Sequence, residues 1–224
     1  DVGDVGQADA ADGGVAAANV LGIPGFTAVT ADPFAVNQNI VGAVCFPIDK
    51  NTTRWLVARG TSAAAPAAVA YSDNGGTTWT SVNVGATNTQ IANDSAALFA
   101  LDQFNIWFAT NDGFIYKSED GGLSWTAQEE GVITSNEINA VYFKDPLNGM
   151  AGGDGDVLMR TTDGGLTWAA VTATGGGDNI TSIANSGGFW WAGDSGGQLW
   201  YSDDDGDTWN ARTFNGSGTG NVAA

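Results

Sequence analysis

Short runs of apolar, aromatic and β-branched residues recur along the chain, and clusters of glycine, aspartate and asparagine separate them. The middle of the chain shows the pattern most clearly, with runs at 96–101, 106–110, 114–118 and 124–128. Side chains of these types suit the half-buried surface of a sheet, whereas Gly, Asp and Asn favour turns. No stretch has the three- and four-residue apolar spacing of an amphipathic helix. The pattern therefore predicts an all-β chain made of units of four short strands.

This unit is repeated along the sequence. Four segments align, namely SDNGGTTW at 72–79, SEDGGLSW at 118–125, TTDGGLTW at 161–168 and SDDDGDTW at 202–209. Their final tryptophans follow one another at intervals of 41 to 46 residues. A four-strand repeat of this length is typical of a β-propeller blade. We therefore expect a β-propeller of four-stranded antiparallel blades, four of which carry a clear box.

Each eight-residue box has the composition of a tight turn between the third and fourth strands of its unit. Hydroxyl and carboxylate groups hydrogen-bond turn amides, and glycine adopts backbone conformations that are closed to other residues. A tryptophan that buries about 200 Å² contributes on the order of 5 kcal/mol of gross hydrophobic free energy to folding. We expect a structural role, rather than ligand binding, at sixteen positions: Ser72, Asn74, Gly76, Trp79, Ser118, Asp120, Gly122, Trp125, Thr161, Asp163, Gly165, Trp168, Ser202, Asp204, Gly206 and Trp209.

The boxes resemble the Asp-box, or bacterial neuraminidase repeat (BNR), family, whose consensus is S-x-D-x-G-x-T-W. Asn74 takes the acidic position of the first box, and Ser124 takes the threonine position of the second. The resemblance covers about residues 37–214 and implies a β-propeller. It implies no single activity, since similar boxes occur in sialidases, xyloglucan-cleaving glycoside hydrolases, sortilin-type receptors, photosystem II assembly factors and virion proteins of tailed phages. Residues 4–20 also loosely resemble the region that precedes such repeats in some phage structural proteins.

The two ends of the chain leave the number of blades open. The segment 10–17 (AADGGVAA) looks like a decayed box that keeps Asp12 and Gly14 but lacks the tryptophan. Five blades closed by the termini are favoured over a four-blade array with a docking arm and over a fragment of a larger ring. The expected division is an N-terminal arm or degenerate closing blade at 1–36, the propeller at 37–214, and a tail or closing strand at 215–224.

Charge and composition exclude several partners. The 224 residues carry 7 Lys and Arg against 25 Asp and Glu, a net charge of −18, although only 14% of the chain is charged. So few cations cannot form a surface for nucleic acid or anionic lipid. No apolar stretch reaches the ~18 residues of a membrane helix, so no membrane insertion is expected. Histidine is absent, which removes His-based catalysis and His-ligated metal sites.

Three further features favour packing over chemistry. Cys45 is the single cysteine and lies in the apolar run 41–46, so we expect a buried, inert thiol. Trp190 and Trp191 are adjacent in one predicted strand and point to opposite faces, and both are expected in the core. Calcium is a minor hypothesis for Asp203, Asp205 and Asp207 and for the 154–156 turn, but neither has the EF-hand spacing. Acidic surface turns are the favoured interpretation, and no cofactor is expected.

The candidate ligand face is the end opposite the boxes, where the turns between second and third strands lie beside the loops that join blades. The related glycosidases also have their active face there. A glycosidase needs two carboxylates that flank the scissile bond, but acids are common in Gly-rich turns for conformational reasons, so we expect no catalytic residue. The candidate carboxylates are Asp112, Asp154, Asp156 and Asp194, with Glu129, Glu130 and Glu137 nearby.

The function that we expect is that of a non-enzymatic structural or adhesive module of an extracellular assembly, and a tailed-phage virion is the favoured assembly. Its expected partners are then other protein subunits, with a surface glycan as a further candidate, and its expected location is extracellular or in the virion. The alternative is a secreted carbohydrate-binding or glycoside-hydrolase propeller. A sialidase is disfavoured because only Gly-Ile-Pro at 22–24 resembles that family's R-I-P motif, and it lacks the arginine. A net charge of −18 is also poorly suited to attract an anionic sugar. A photosystem assembly role stands third, since the chain lacks a basic docking patch.

Overall fold

A computed structural model describes residues 39–60, 68–84, 97–128, 133–171 and 177–212. Within these ranges the chain forms sixteen β-strands in four antiparallel sheets of four strands each. The same ranges contain no helix with the length and apolar character of a membrane span. The predicted closing segments, 1–36 and 215–224, lie outside the described residues.

Each sheet is one blade, and its strands follow one another in chain order. Blade 1 contains β1 (Asn39–Pro47), β2 (Thr53–Gly60), β3 (Ala68–Ser72) and β4 (Thr80–Asn83). Blade 2 contains β5 (Leu98–Asp102), β6 (Asn105–Ala109), β7 (Ile115–Ser118) and β8 (Thr126–Ala127). Blade 3 contains β9 (Ile138–Phe143), β10 (Gly149–Gly153), β11 (Val157–Thr161) and β12 (Ala169–Ala170). Blade 4 contains β13 (Ile180–Ser186), β14 (Phe189–Asp194), β15 (Leu199–Ser202) and β16 (Asn210–Arg212).

The predicted all-β propeller with four box-bearing blades is confirmed. In blade 2 the observed strands agree with the predicted ones to within two residues at each end. Every box joins the third strand of its blade to the fourth, as expected. Because the strands form a meander, the box turn and the turn between first and second strands lie at one end of the blade. We call this end the box end.

The hydrophobic core lies between the blades. One cluster joins blades 1 and 2 through residues such as Leu56 and Phe108. In the cluster between blades 2 and 3, the rings of Trp107 and Phe143 stack with centroids 3.5 Å apart. A third cluster, which includes Trp190, joins blades 3 and 4. The inner blades therefore bury both faces of their sheets against a neighbour.

Two side chains are less buried than the sequence suggested. Cys45 is exposed, so the expectation of a buried thiol was wrong. Its neighbour Phe46 packs between blades 1 and 2, and alternation along β1 places Cys45 on the opposite face of blade 1. Core packing is confirmed for Trp190, which is 1% exposed, but Trp191 is only half-buried. In both cases the side chain lies on the outer face of an end blade, which no other described blade covers.

Candidate functional site

The four boxes form the same hydrogen-bond network. In box 2 the Ser118 hydroxyl donates to Asp120 Oδ1 at 2.8 Å and accepts from the Gly122 amide at 2.8 Å. Asp120 in turn accepts from the amide and the hydroxyl of Ser124, at 2.9 and 2.5 Å. Thr161, Asp163 and Thr167 repeat these bonds in box 3, and Ser202, Asp204 and Thr208 repeat them in box 4. The box carboxylates therefore hold the turns.

Asn74 replaces the acid in box 1 without breaking the network. Its Oδ1 accepts from the Ser72 hydroxyl and the Thr78 amide, both at 2.9 Å. Its Nδ2 donates to Thr78 Oγ1 at 2.8 Å, so the last bond runs in the opposite direction from that in the other boxes. An uncharged amide is thus sufficient for this turn.

The hydrogen bonds keep the box acids ionised. Those from the hydroxyl and amide of Thr208 lower the pKa of Asp204 to about 2. Burial alone raises the pKa of Asp120 and Asp163, but the hydrogen bonds from their boxes outweigh it and lower both pKa values. These carboxylates act as structural acceptors rather than as proton donors near neutral pH.

The box tryptophans differ in burial. Trp168 is 6% exposed and meets Phe143 edge-to-face, whereas Trp79, Trp125 and Trp209 are half-buried. In boxes 2 and 4 the indole N–H donates to the carbonyl of the box glycine at 3.2 Å. The box tryptophans therefore pack to different depths, and Trp168 is the most buried of the four.

On the end opposite the boxes, Asp194 is engaged on both oxygens. It is 1% exposed, and Oδ1 accepts from the Gln198 amide at 2.8 Å. Its Oδ2 accepts from Trp200 Nε1, also at 2.8 Å. The carboxylate therefore fastens the turn between β14 and β15.

The corresponding turn of blade 3 contacts the loop that joins blade 3 to blade 4. Asp156 is 8% exposed, and its amide donates to the Asp178 carbonyl at 3.1 Å. Asp154 Oδ1 accepts from Asn139 Nδ2 at 2.9 Å. This turn is thus built into the junction of blades 3 and 4, and its acids have conformational partners.

The remaining ligand-face candidates are more scattered. Asp112 is exposed, and Glu137 contributes its carbonyl to the Asp154 amide at 2.9 Å. Glu129 and Glu130 lie outside the described residues. The described residues contain no group of three or more Cys, Asp or Glu placed to hold a metal ion.

The acidic run in box 4 pairs with cations of blade 3. Asp205 accepts a hydrogen bond from Lys144 Nζ, and Asp207 lies 2.6 Å from Arg160 Nη1. Burial alone raises the pKa of Asp205, but Lys144 and the other partners lower it overall. Asp203 is exposed. Two of the three calcium candidates therefore serve ion pairs between blades.

The ion pairs lie beside a hydrogen bond between blades that recurs at three junctions and that the sequence did not predict. Side-chain N–H groups of one blade donate to a backbone carbonyl in the next box, and each acceptor directly precedes the second glycine position of that box. Glycine at that position was visible in the sequence, but no sequence signal identifies the donors, which differ in type. They are Arg54 to Gly121 at 3.1 Å, Trp107 to Gly164 at 3.2 Å and Arg160 to Asp205 at 2.9 Å.

The box end of blades 2 and 3 carries exposed apolar side chains. Phe104 and Leu147 lie in the turns between the first and second strands, and Leu123 and Leu166 lie in the boxes. Their exposed fractions are 58%, 56%, 46% and 68%, in that order. We call these four residues the box-end surface.

A groove of about 470 Å³ lies between blades 2 and 3 at the same end. Leu166 lines it together with Lys117, Glu119, Asp120 and Asp163. Lys117 Nζ is 2.9 Å from Glu119, and this ion pair is neutral. The carboxylates of Asp120 and Asp163 therefore leave the groove with a net negative charge. Exposed apolar groups beside an acidic groove suit a partner with apolar anchors and a basic rim.

Comparison with known proteins places this geometry among β-propellers. The family model described as Photosynthesis system II assembly factor YCF48 matches residues 55–141. A GH74 xyloglucanase from Xanthomonas campestris has 19% sequence identity and a TM-score of 0.59, with 77% of this chain and 30% of that chain covered. No curated protein matches the sequence significantly.

Two further solved structures have the same fold. YCF48 from Cyanidioschyzon merolae is 19% identical over 83% of this chain and 62% of that chain, with a TM-score of 0.54. The computationally designed Ika4 protein is 13% identical over 75% of this chain and 92% of its own, with a TM-score of 0.53. The chain spans less than a third of the xyloglucanase and less than two thirds of YCF48. At such identities the likeness shows the fold alone, and it supports a β-propeller with BNR-type repeats.

Proposed function

We propose that this chain is a non-enzymatic, protein-binding propeller module of an extracellular assembly such as a tailed-phage virion. The observation that carries the proposal is the box-end surface, where four large apolar side chains are exposed on adjacent blades. Several large apolar side chains exposed at one end of a fold suit a protein interaction site.

The carboxylates on the opposite end support a binding role over catalysis. Asp194 uses both of its oxygens within its own hairpin, and Asp154 accepts from Asn139. A glycosidase needs one acid that donates a proton and one carboxylate that is free to act as base or nucleophile. Asp194 and Asp154 have structural hydrogen-bond partners instead.

The family model that matches residues 55–141 adds independent support. Its description is that of an assembly factor, a role that fits contacts with other proteins. The GH74 likeness supports no activity at 19% identity, so carbohydrate cleavage stays the alternative.

Two assays on the purified chain and its native source test the proposal. We expect the chain to sediment with large assemblies from the native source and to release no reducing ends from soluble xyloglucan. Release of reducing ends that Asp112→Asn or Asp154→Asn abolishes would overturn the proposal in favour of a glycosidase.

A further inference from the structure

The groove between blades 2 and 3 contains a buried glutamine in its lining. Gln128 directly follows β8 and is 6% exposed. Its Nε2 donates to the Thr126 carbonyl at 3.1 Å, whereas its Oε1 is buried and has no hydrogen-bond partner among the described residues. A buried acceptor without a donor destabilises a fold, and such groups are rare in native proteins. The oxygen of Gln128 therefore calls for an external donor.

The Gln128 oxygen points across the groove towards box 3. An ideal Cβ on Gly165 would lie 3.1 Å from Oε1 and 3.5 Å from Trp107 Nε1. Both N–H groups beside the oxygen are already engaged, since the Gly165 amide donates to Thr161 Oγ1 and the Trp107 indole donates to the Gly164 carbonyl. A donor for Gln128 thus has to come from the groove.

The groove also carries uncompensated negative charge. Lys117 is paired with Glu119, which leaves the carboxylates of Asp120 and Asp163. Burial raises the pKa of both groups, but the hydrogen bonds of their boxes lower each pKa below its ordinary value. Asp163 Oδ2 accepts from the Thr167 hydroxyl at 2.6 Å. Because a carboxylate oxygen can accept two hydrogen bonds, Asp163 has room for a second donor.

An apolar side chain completes the lining. Leu166 is 68% exposed and directly follows Gly165, so it lies next to the point that Gln128 faces. A matching ligand has a positive charge, several N–H donors and an apolar stem. Arginine combines all three, because five N–H donors on a planar guanidinium follow a stem of three methylene groups. Lysine offers a single point charge instead, and a metal ion makes no use of Leu166.

We infer that this groove receives an arginine side chain of the partner protein. One N–H of the guanidinium donates to Gln128 Oε1 and another donates to Asp163, while the stem packs on Leu166. The identity of the partner as a protein rests on the proposed function, but the preference for a guanidinium rests on the groove itself. The apolar box-end surface then supplies contact area, and the groove selects for arginine beside it.

An NMR titration of the full chain with two tripeptide probes tests the inference. The first probe is acetyl-Leu-Arg-Leu-amide, and the second has citrulline in place of arginine, which keeps the shape but removes the charge. We expect the arginine probe to shift the side-chain amide of Gln128 and the indole N–H of Trp107. It should bind about 10-fold or more tightly than the citrulline probe, because its hydrogen bonds are charge-assisted.

Two variants separate the acceptor from the charge. Gln128→Met keeps the length of the side chain but removes Oε1, and Asp163→Asn removes a charge that box 1 lacks at Asn74. Each should weaken the arginine probe by about 5-fold or more. Gln198→Met changes a glutamine at the opposite end of blade 4 and should leave the affinity unchanged. Amide spectra that match the wild type away from the groove show that the variants fold.

Other outcomes overturn the inference. No shift at Gln128, equal affinity for the arginine and citrulline probes, or unchanged affinity in Gln128→Met would show that the groove does not bind a guanidinium. Equal affinity for a lysine probe would show that it selects only for positive charge.

Sedimentation with large assemblies from the native source separates the groove from the proposed function. We expect the wild type to pellet and Gln128→Met to pellet less. Equal pelleting of the two chains would overturn the role of the groove and leave the proposed function standing. Probe binding in the groove without pelleting of the wild type would overturn the protein partner and leave the guanidinium preference standing.

Discussion

Trp107 Nε1 of blade 2 donates a hydrogen bond of 3.2 Å to the carbonyl of Gly164 in the box of blade 3. The ring is fully buried and stacks on Phe143 of the same neighbouring blade. One side chain thus joins the apolar core between blades to the polar turn at the box end. Arg54 and Arg160 make the equivalent bond at the other two junctions, so the boxes fix the contacts between blades as well as their own turns.

Loss of the indole donor at a junction should destabilise the fold. Trp107→Phe keeps an aromatic ring but leaves the buried Gly164 carbonyl without this donor, which should cost about 1–3 kcal/mol of unfolding free energy. Urea unfolding measures the change. Trp55→Phe is the control, because Trp55 is 36% exposed, and equal losses in the two variants would contradict the role of the bond.

Close approach between blades should make Gly122 of box 2 more sensitive to substitution than Gly75 of box 1. Gly122 has a φ of +86°, and an added Cβ would lie 2.7 Å from Leu56 Cδ1. Gly75 has a φ of +68°, but nothing lies within 4 Å of its added Cβ. Alanine at either site costs about 1–2 kcal/mol in backbone strain, and Gly122→Ala should cost about 1–3 kcal/mol more through overpacking. Equal urea midpoints for the two variants would contradict the steric argument.

The box acids should make the fold sensitive to strong acid. Their folded-state pKa values lie below the ordinary value of 3.8, and that of Asp204 is about 2. The stability they contribute is present above pH 4 and is lost as the pH falls through the folded pKa values. Urea midpoints should therefore be flat from pH 7 to pH 5 and decline between pH 4 and pH 2.

Asparagine in place of the acid should remove part of this decline, because box 1 already uses Asn74 for the same turn. We expect Asp204→Asn to fold and to lose less stability between pH 5 and pH 2 than the wild type. The exposed neighbour variant Asp203→Asn is the control. If the urea midpoint of Asp204→Asn declined as steeply as that of the wild type, the loss of stability in acid would have to arise from other groups.

Calcium should leave the thermal midpoint unchanged. Asp205 and Asp207 already pair with Lys144 and Arg160 of the neighbouring blade, so they are not free to gather around an ion. Melting curves with chelator and with added calcium check this. A midpoint that rises with calcium concentration would indicate a bound ion.

The thiol of Cys45 should react in the native state. The residue is exposed on the outer face of blade 1 and is the single cysteine of the chain. A thiol reagent should therefore modify one group per chain without denaturant, and the fully denatured chain supplies the reference stoichiometry. Reaction that begins only in denaturant would contradict the exposure.

The blades could be predicted from sequence because their signals are local. The hydroxyl, acid and glycine of a box bond within eight residues, so composition at Ser118, Asp120 and Gly122 is enough to specify the turn. The strands follow from runs of β-forming residues between such turns.

The contacts between blades were not predictable, because they depend on which faces have a neighbour. Trp190 and Trp191 are identical residues in one strand, yet only the first meets another described blade. Cys45 lies in an apolar run but on an end face. On the ligand face, nothing in the sequence indicates that Asp194 binds Trp200 rather than a substrate.

The central claim is that the box-end surface binds protein, and sedimentation of variants tests it most directly. Phe104→Ser combined with Leu166→Ser removes two exposed anchors, and Lys50→Ser combined with Thr77→Ser changes the equivalent turns of blade 1. The measurement is the fraction of each chain that pellets with large assemblies from the native source. We predict that the wild type and the blade 1 variant pellet while the box-end variant stays in the supernatant. Equal pelleting of all three chains, or none in the pellet, would contradict the account.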